Sequence, residues 1–334
     1  MEYRYLGKNG PKVSAVGLGC MGLSHAYGKP TDRKDAEELL GSAVDFGVTL
    51  FDTAEVYGSE DDPHHNERLV GEILKPYRDK IVLVTKFGIS FDMSVGGATH
   101  PLIPDARPEV IRKSVEGSLQ RLQTDHIDLY LQHRIDPKVA PEEVASVMAD
   151  LMKEGKILHW GVSEATEDYI RRAQKVCPLT AIENRYSMMA RWHEKLFPTL
   201  EELGIGFIAF SPMANGLLTG NYDANSTFDK KTDFRAVMPQ FQKESFDENK
   251  QLFELVNDIA DSKHATPAMI SLAWMISKKD YIVPIPGTRK VYRLKEDIGA
   301  ADIHLTKQEV ADIDAALDKI PMSKVFGGSK VETK

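Results

Sequence analysis

Two rhythms of apolar and polar positions replace each other along this chain from end to end. Short β-branched and aliphatic runs occur at VSAVGLG (13–19), VTLFDTA (48–54), KIVLVTKFG (80–88), HIDLYLQH (126–133), LHWGVSE (158–164), TAIENRY (180–186), IGFIAFSP (205–212) and YIVPIPG (281–287). Such near-continuous runs predict strands of a parallel sheet buried on both faces. Between them the period lengthens to helical spacing over Lys34–Phe46, Glu109–Leu122, Pro141–Glu154, Asp168–Val176, His193–Leu203, Asp247–His264 and Pro267–Ser277. Boundary chemistry agrees with these spans. Thr31 or Asp32 can cap the first helix, and Pro141-Glu142-Glu143 places proline and acidic charge where a helix begins. Gly47, Gly155 and Gly204 stand where a left-handed residue closes the last turn.

Eight strand–helix units without a break in composition predict one domain over residues 1–334. Eight such units close into a (β/α)8 TIM barrel, and an open doubly wound sheet is the competing arrangement. Two segments, 89–108 and 221–242, lack either rhythm. They are expected to form lids over the active-site face, because long loops in a compact domain are commonly binding loops.

Composition narrows the classes of function. The 334 residues carry 42 Lys+Arg against 50 Asp+Glu, a net charge of −8 that argues against general nucleic-acid binding. No apolar run is long enough to span a membrane, and the opening MEYRYLGKNGPK has no apolar core of a secretory signal. Cys20 and Cys177 are the only cysteines, so neither a disulfide framework nor a cysteine zinc site is expected. Asn225-Ser226-Thr227 reads as an ordinary loop. A cytoplasmic location is the expectation.

Gly17-x-Gly19-x-x-Gly22 matches the dinucleotide fingerprint and follows a strand. That motif needs a helix N-terminus at the turn to carry the pyrophosphate. Here Ser24–Pro30 intervenes, so the motif is not read as a Rossmann turn. The acidic turn Glu60-Asp61-Asp62 before His64-His65 lacks a spaced ligand elsewhere, and no metal is expected there. Met188, Met189 and Trp192 are candidates either for the pocket edge or for apolar packing.

The chemistry gathers at strand ends. Asp52 closes one apolar run, with Tyr57 five residues on; Lys86 and His133 close two others. A barrel brings all these ends to one face. A tyrosine of ordinary pKa near 10 exchanges protons poorly at neutral pH, and a neighbouring Lys⁺ is expected to lower it. Asp52 would hold that lysine, and His133 would orient a substrate oxygen. The set suits proton donation to an oxygen that gains charge as hydride adds to a carbonyl.

With FDTAEVYG (51–58), VTKFG (84–88), LYLQHRIDP (129–137), GVSE (161–164), AFSPMANGLLTG (209–220) and PIPGTR (284–289), the chain resembles the aldo-keto reductases over almost all its length. The resemblance implies the barrel, NADP(H) as cofactor and a tetrad of Asp52, Tyr57, Lys86 and His133, with Tyr57 as proton donor. It places Gly19, Cys20, Met21 and Asp52 beside the cofactor, and Ser163-Glu164 at the nicotinamide carboxamide. Glu183 stands where relatives have Gln, and a carboxylate there cannot donate to the amide oxygen. Phe210 replaces the usual stacking tyrosine. Ser211, Pro212, Met213, Asn215 and Gly216 are expected along the pyrophosphate, with Asn215 where many relatives carry Arg. Gly287, Thr288, Arg289 and Arg293 correspond to the grip on the 2′-phosphate, which favours NADPH over NADH. Glu296-Asp297 replaces a Glu-Asn pair under the adenine, and an ionised Asp cannot donate to a ring nitrogen.

The expectation is therefore a reductase of small-molecule aldehydes or ketones, with an NADP(H)-binding regulatory subunit resembling potassium-channel β subunits as the rival. Substrate identity and oligomeric state are left open by the sequence.

Overall fold

The computed structural model describes residues 1–59, 61–95 and 99–328. Eight parallel strands run in chain order around one sheet: β1 (Leu18–Gly19), β2 (Leu50–Asp52), β3 (Val82–Phe87), β4 (Ile127–Gln132), β5 (Ile157–Ser163), β6 (Ala181–Arg185), β7 (Gly206–Phe210) and β8 (Ile282–Pro284). Gly17 and Gly19 donate to the carbonyls of Pro284 and Pro286 at 3.0 Å each, which ties the last strand back to the first. The sheet closes, and the open-sheet alternative falls. An N-terminal hairpin of Tyr3–Tyr5 and Lys12–Ser14 adds Leu6 and Val13 to the apolar cluster inside the barrel.

Helices cover the outside: α1 (Arg33–Asp45), α2 (His65–Leu74), α3 (Pro108–Leu122), α4 (Pro141–Lys153), α5 (Glu167–Gln174), α6 (Phe197–Leu203), α7 (Lys243–Glu248), α8 (Lys250–Ser262), α9 (Pro267–Lys278), α10 (Val291–Gly299) and α11 (Lys307–Leu317). Asp32 caps α1 by accepting from the Lys34 amide at 2.9 Å. Gly47, Gly155 and Gly204 have φ of 88°, 74° and 69°, the left-handed values expected of them. The pattern read as one helix over Asp247–His264 is two, parted at Asn249, whose buried side chain exchanges hydrogen bonds with Ser323. Sequence rhythm missed α2, α10 and α11.

Alternation along the strands sorts the interior. Leu50, Val84, Leu131, Ala181 and Ile208 form an apolar inner layer. Two residues further on stand Asp52, Lys86, His133, Glu183 and Phe210, the same face one layer higher. The inside of the barrel thus changes from apolar to ionisable at one height, at the carboxyl ends of the strands. Phe51, Leu83, Tyr130, Ile182 and Phe207 point outward into the helix layer.

Candidate active site

The four strand-end residues converge. Lys86 Nζ donates to both carboxylate oxygens of Asp52 at 2.7 Å, to the Thr53 carbonyl at 2.9 Å and to the Tyr57 hydroxyl at 3.4 Å. The Tyr57 hydroxyl lies 3.4 Å from His133 Nε2. Tyr57 rides on the turn after β2, while Asp52, Lys86 and His133 are set by neighbouring strands in register. Glu183, from β6, joins them with Oε1 3.3 Å from Lys86 Nζ.

One ammonium therefore faces two buried carboxyls. Burial raises both acids, and Lys86 opposes the rise at Asp52 through the shorter contacts. Glu183 is raised well above the usual range, by burial and by the Asp52 charge it hydrogen-bonds. Of the two carboxyls, Glu183 is pushed the further toward its neutral form. A carboxyl in that neutral form carries an O–H, the donor a carboxylate lacks. Burial pulls Lys86 down, but Asp52, Glu183 and Tyr57 outweigh it and hold it charged. His133 is pushed well below its ordinary value, by burial and then by the Arg134 and Lys86 charges, so its ring is neutral.

Tyr57 also departs from expectation. Burial pushes its phenol up to about 12, and Lys86 offsets only part of that, with Asp52 and Glu183 adding to the rise. The site stores a neutral phenol beside a fixed cation. That is the form that can give a proton.

Above the tetrad opens a cavity of about 520 Å³. Of the residues expected at the cofactor, Gly19, Met21, Asp52, Glu183, Phe210, Ser211, Pro212, Met213, Asn215, Gly216, Gly287, Thr288, Arg289, Arg293, Glu296 and Asp297 line it. Cys20, Ser163 and Glu164 do not. Cys20 is buried in the core, where burial pushes its thiol far up. Ser163 Oγ accepts from Arg134 at 3.1 Å, and the Glu164 carboxylate accepts from the Arg185 amide at 2.8 Å and lies 3.3 Å from His193 Nε2. Asp297 is 3% exposed, and burial, helped by Glu296, pushes its carboxyl up to about 8 against the pull of Arg293. In its neutral form it can donate as an asparagine does.

The glycine fingerprint is a decoy. After β1 the chain makes a 3-10 turn over Met21–Leu23, and no α-helix starts before Arg33. Met188, Met189 and Trp192 lie away from the cavity; Met188 is buried and Trp192 exposed. His64 Nδ1 contacts the Glu55 carbonyl at 2.5 Å, and Glu60 lies outside the described residues.

The two irregular segments do reach the site. In segment 89–108, of which 96–98 (Gly96-Gly97 included) lie outside the described residues, Ile89–Phe91 forms a hairpin with Leu102–Pro104. Its Phe91 stacks on His25 at 5.4 Å, and Phe234 of segment 221–242 meets the same ring edge-on at 5.5 Å. His25 in turn stacks on Tyr57 at 5.9 Å and lies 2.8 Å from the Gly58 carbonyl. Sequence reading missed His25, Tyr27, Arg134, Arg185, Tyr222, Phe234, Arg235 and Phe326, all lining residues. Only Arg185 carried a signal, two positions beyond Glu183 on the same inward face.

Known proteins resemble this chain over almost its whole length. Residues 15–318 match the model of the aldo/keto reductase family. The chain is 38% identical over 334 residues to a probable aldo-keto reductase 1 of Glycine max, covering 97% of this chain and 90% of the relative. A glycerol dehydrogenase from Gluconobacter oxydans superposes with a TM-score of 0.83 at 27% identity, covering 98% and 99% of the two chains. A thermostable aldo-keto reductase solved with the inhibitor epalrestat superposes at 0.74 and 28% identity, covering 95% and 100%. The holo form of an aldo-keto reductase from Bacillus halodurans superposes at 0.75 and 25% identity, covering 98% of each chain.

Proposed function

Because this chain belongs to the aldo/keto reductase family, we propose that it reduces aldehydes or ketones to alcohols with NADPH, Tyr57 delivering a proton to the carbonyl oxygen. One observation carries the reading: the Tyr57 hydroxyl lies 3.4 Å from both Lys86 Nζ and His133 Nε2 on the floor of the cavity.

The residues fit the cofactor. Arg289 donates through Nε and Nη1 to the carbonyls of Gly22 and Lys29 at 2.5 and 2.9 Å, and its buried Nη2 has no partner among the described residues. A phosphate oxygen would satisfy that nitrogen. A Cβ at Gly19 would sit 2.9 Å from the Ile285 carbonyl, so only glycine keeps this rim of the cavity open. Neutral Glu183 and neutral Asp297 restore donors at the nicotinamide and adenine ends. When bound, NADP(H) supplies the hydride.

The rest falls to this chain. His133, neutral, donates to the carbonyl oxygen and orients it. Tyr57 gives its proton to the same oxygen, and the phenolate left behind faces a lysine already charged. Asp52 keeps that lysine aimed, and the aromatic cover of His25, Phe91 and Phe234 excludes water from the phenol. Well-placed general acid catalysis is typically worth about 10²–10⁴-fold.

The test is NADPH oxidation, followed by absorbance, against a panel of simple aldehydes with wild type and Tyr57→Phe. Multiple turnover in wild type, reduced by about 10²–10⁴-fold in the variant while NADPH still binds, is the expected result. Wild-type rates in Tyr57→Phe would refute the assignment of roles. Tight NADPH binding with no turnover on any aldehyde would instead favour a regulatory subunit.

A further inference from the structure

Two cations of the cavity are left unmatched. Elsewhere Arg121, itself largely buried, pairs with Glu67 at 2.6 Å. Arg185 is 4% exposed, yet among the described residues its one side-chain hydrogen bond is to Asn215 Oδ1 at 3.1 Å, and its Nε has no partner. Arg134 Nη1 donates to the His133 carbonyl at 2.6 Å and to Ser163 Oγ at 3.1 Å. Among the described residues neither arginine has a carboxylate within ion-pair distance, 4.0 Å. Both guanidiniums sit over the Phe210 ring, at 5.8 and 5.0 Å, and both line the cavity.

The neighbouring charges do not cancel. The Glu164 charge acts on both arginines, but its oxygens are already engaged by the Arg185 amide and His193. Desolvating a cation without a partner is costly, and an arriving oxyanion offsets that cost. A pair of guanidiniums offers the fork geometry that carboxylate and phosphate accept.

We propose that Arg134 and Arg185 form a receptor for an oxyanion, carboxylate or phosphate, carried by the carbonyl substrate itself. The inference rests on the reductase reading of this cavity and adds to it a substrate class, acidic aldehydes and ketones. Position favours the substrate over the cofactor. Arg134 directly follows His133, and its charge acts on both His133 and Tyr57, the groups that meet the carbonyl oxygen. Arg289 and Arg293, after β8, supply cations for the cofactor at another sector of the mouth. The missing charge at Asn215, where many relatives carry arginine, sharpens the alternative that Arg185 serves the pyrophosphate.

The experiment compares kcat/KM for benzaldehyde and 4-carboxybenzaldehyde in wild type, Arg185→Met and Arg185→Lys. NADPH affinity is measured alongside by fluorescence titration. Calorimetry follows 4-carboxybenzamide, which cannot be reduced, binding to the protein with NADP(H) bound. Wild type should prefer the carboxylate aldehyde by roughly 10–100-fold, mainly through KM, as charge-assisted hydrogen bonds of this kind imply. Arg185→Met should lose that ratio and Arg185→Lys should recover part of it. The lysine variant also decides the matter if the methionine variant does not fold. A wild-type ratio near one, or a ratio that survives in Arg185→Met, overturns the proposal. So does a loss of NADPH affinity as large as the loss toward the acidic aldehyde, which would give the guanidiniums to the cofactor phosphates. If neither aldehyde turns over, binding of 4-carboxybenzamide that Arg185→Met abolishes upholds the receptor while ending the reductase reading. Absent binding ends the receptor.

Discussion

Replacing Asp297 by Asn should stabilise the cofactor-free protein, and by more as the pH rises. The carboxyl is 3% exposed and makes no hydrogen bond among the described residues. Burial, then the Glu296 charge, hold its pKa at about 8 against an ordinary 3.8. The unfolded chain releases this proton near the ordinary value, so between the two values the native state binds more protons than the unfolded state. Unfolding free energy therefore falls as pH rises through that window and levels above about 8. At about 1.4 kcal/mol per tenfold change in proton activity, the two steps from pH 6 to 8 are worth at most about 3 kcal/mol. Local water entry reduces this, and about 1–3 kcal/mol is the expected range. The packed faces of α1 (Ala36, Leu39, Leu40, Ala43) and α9 add no charge that could compensate. Urea unfolding of wild type and Asp297→Asn at pH 6, 7, 8 and 9 reads the effect directly. The gap between them should widen to pH 8 and stay level at pH 9. A gap that is flat across the series would show that Asp297 is ionised throughout, and its role as a donor to the adenine would go with it. NADPH affinity of wild type should fall above pH 8, while that of the asparagine variant holds.

Lys86→Met should abolish turnover and also destabilise the fold by roughly 3–5 kcal/mol, because it leaves Asp52 buried without its partner; chemical denaturation checks the second part. Arg289→Met should weaken NADPH by roughly 10–100-fold and leave NADH little changed, read by side-by-side fluorescence titration. Equal losses for both cofactors would remove the 2′-phosphate from the argument. Gly71→Ala should lower the melting temperature, since an added Cβ on α2 would run into the backbone of Leu122 on α3 and force the helices apart. A melting temperature at or above wild type would mean that α2 and α3 are looser than described.

How much was legible in advance follows the reach of each interaction. Seven of the strands and the helices with strong caps, such as α1 behind Asp32 and α4 behind Pro141, are local matters of period and propensity, and the chain alone determined them; the run read as one strand over 13–19 is divided between the N-terminal hairpin (Lys12–Ser14) and β1 (Leu18–Gly19). Helix α2 was not legible. Its first turn holds His65, Asn66 and Glu67, polar residues whose burial comes from partners such as Thr53 and Thr85 on other elements. The tetrad could be named because alternation along a strand fixes which residues point inward, and closure of the barrel fixes that their ends meet. Protonation could not be named. Whether Tyr57, Glu183 and Asp297 hold their protons depends on how far burial outweighs the nearest charge, and that balance exists only once distant strands and helices have excluded water. Reading the residues alone, Lys86 should lower the tyrosine and the two acids should be poor substitutes for amides. The assembled cavity reverses all three, because burial raises each group by more than the nearest cation lowers it. The unmatched Arg134 and Arg185 have the same origin: a sequence shows that an arginine is present, and only the fold shows that no carboxylate came to meet it.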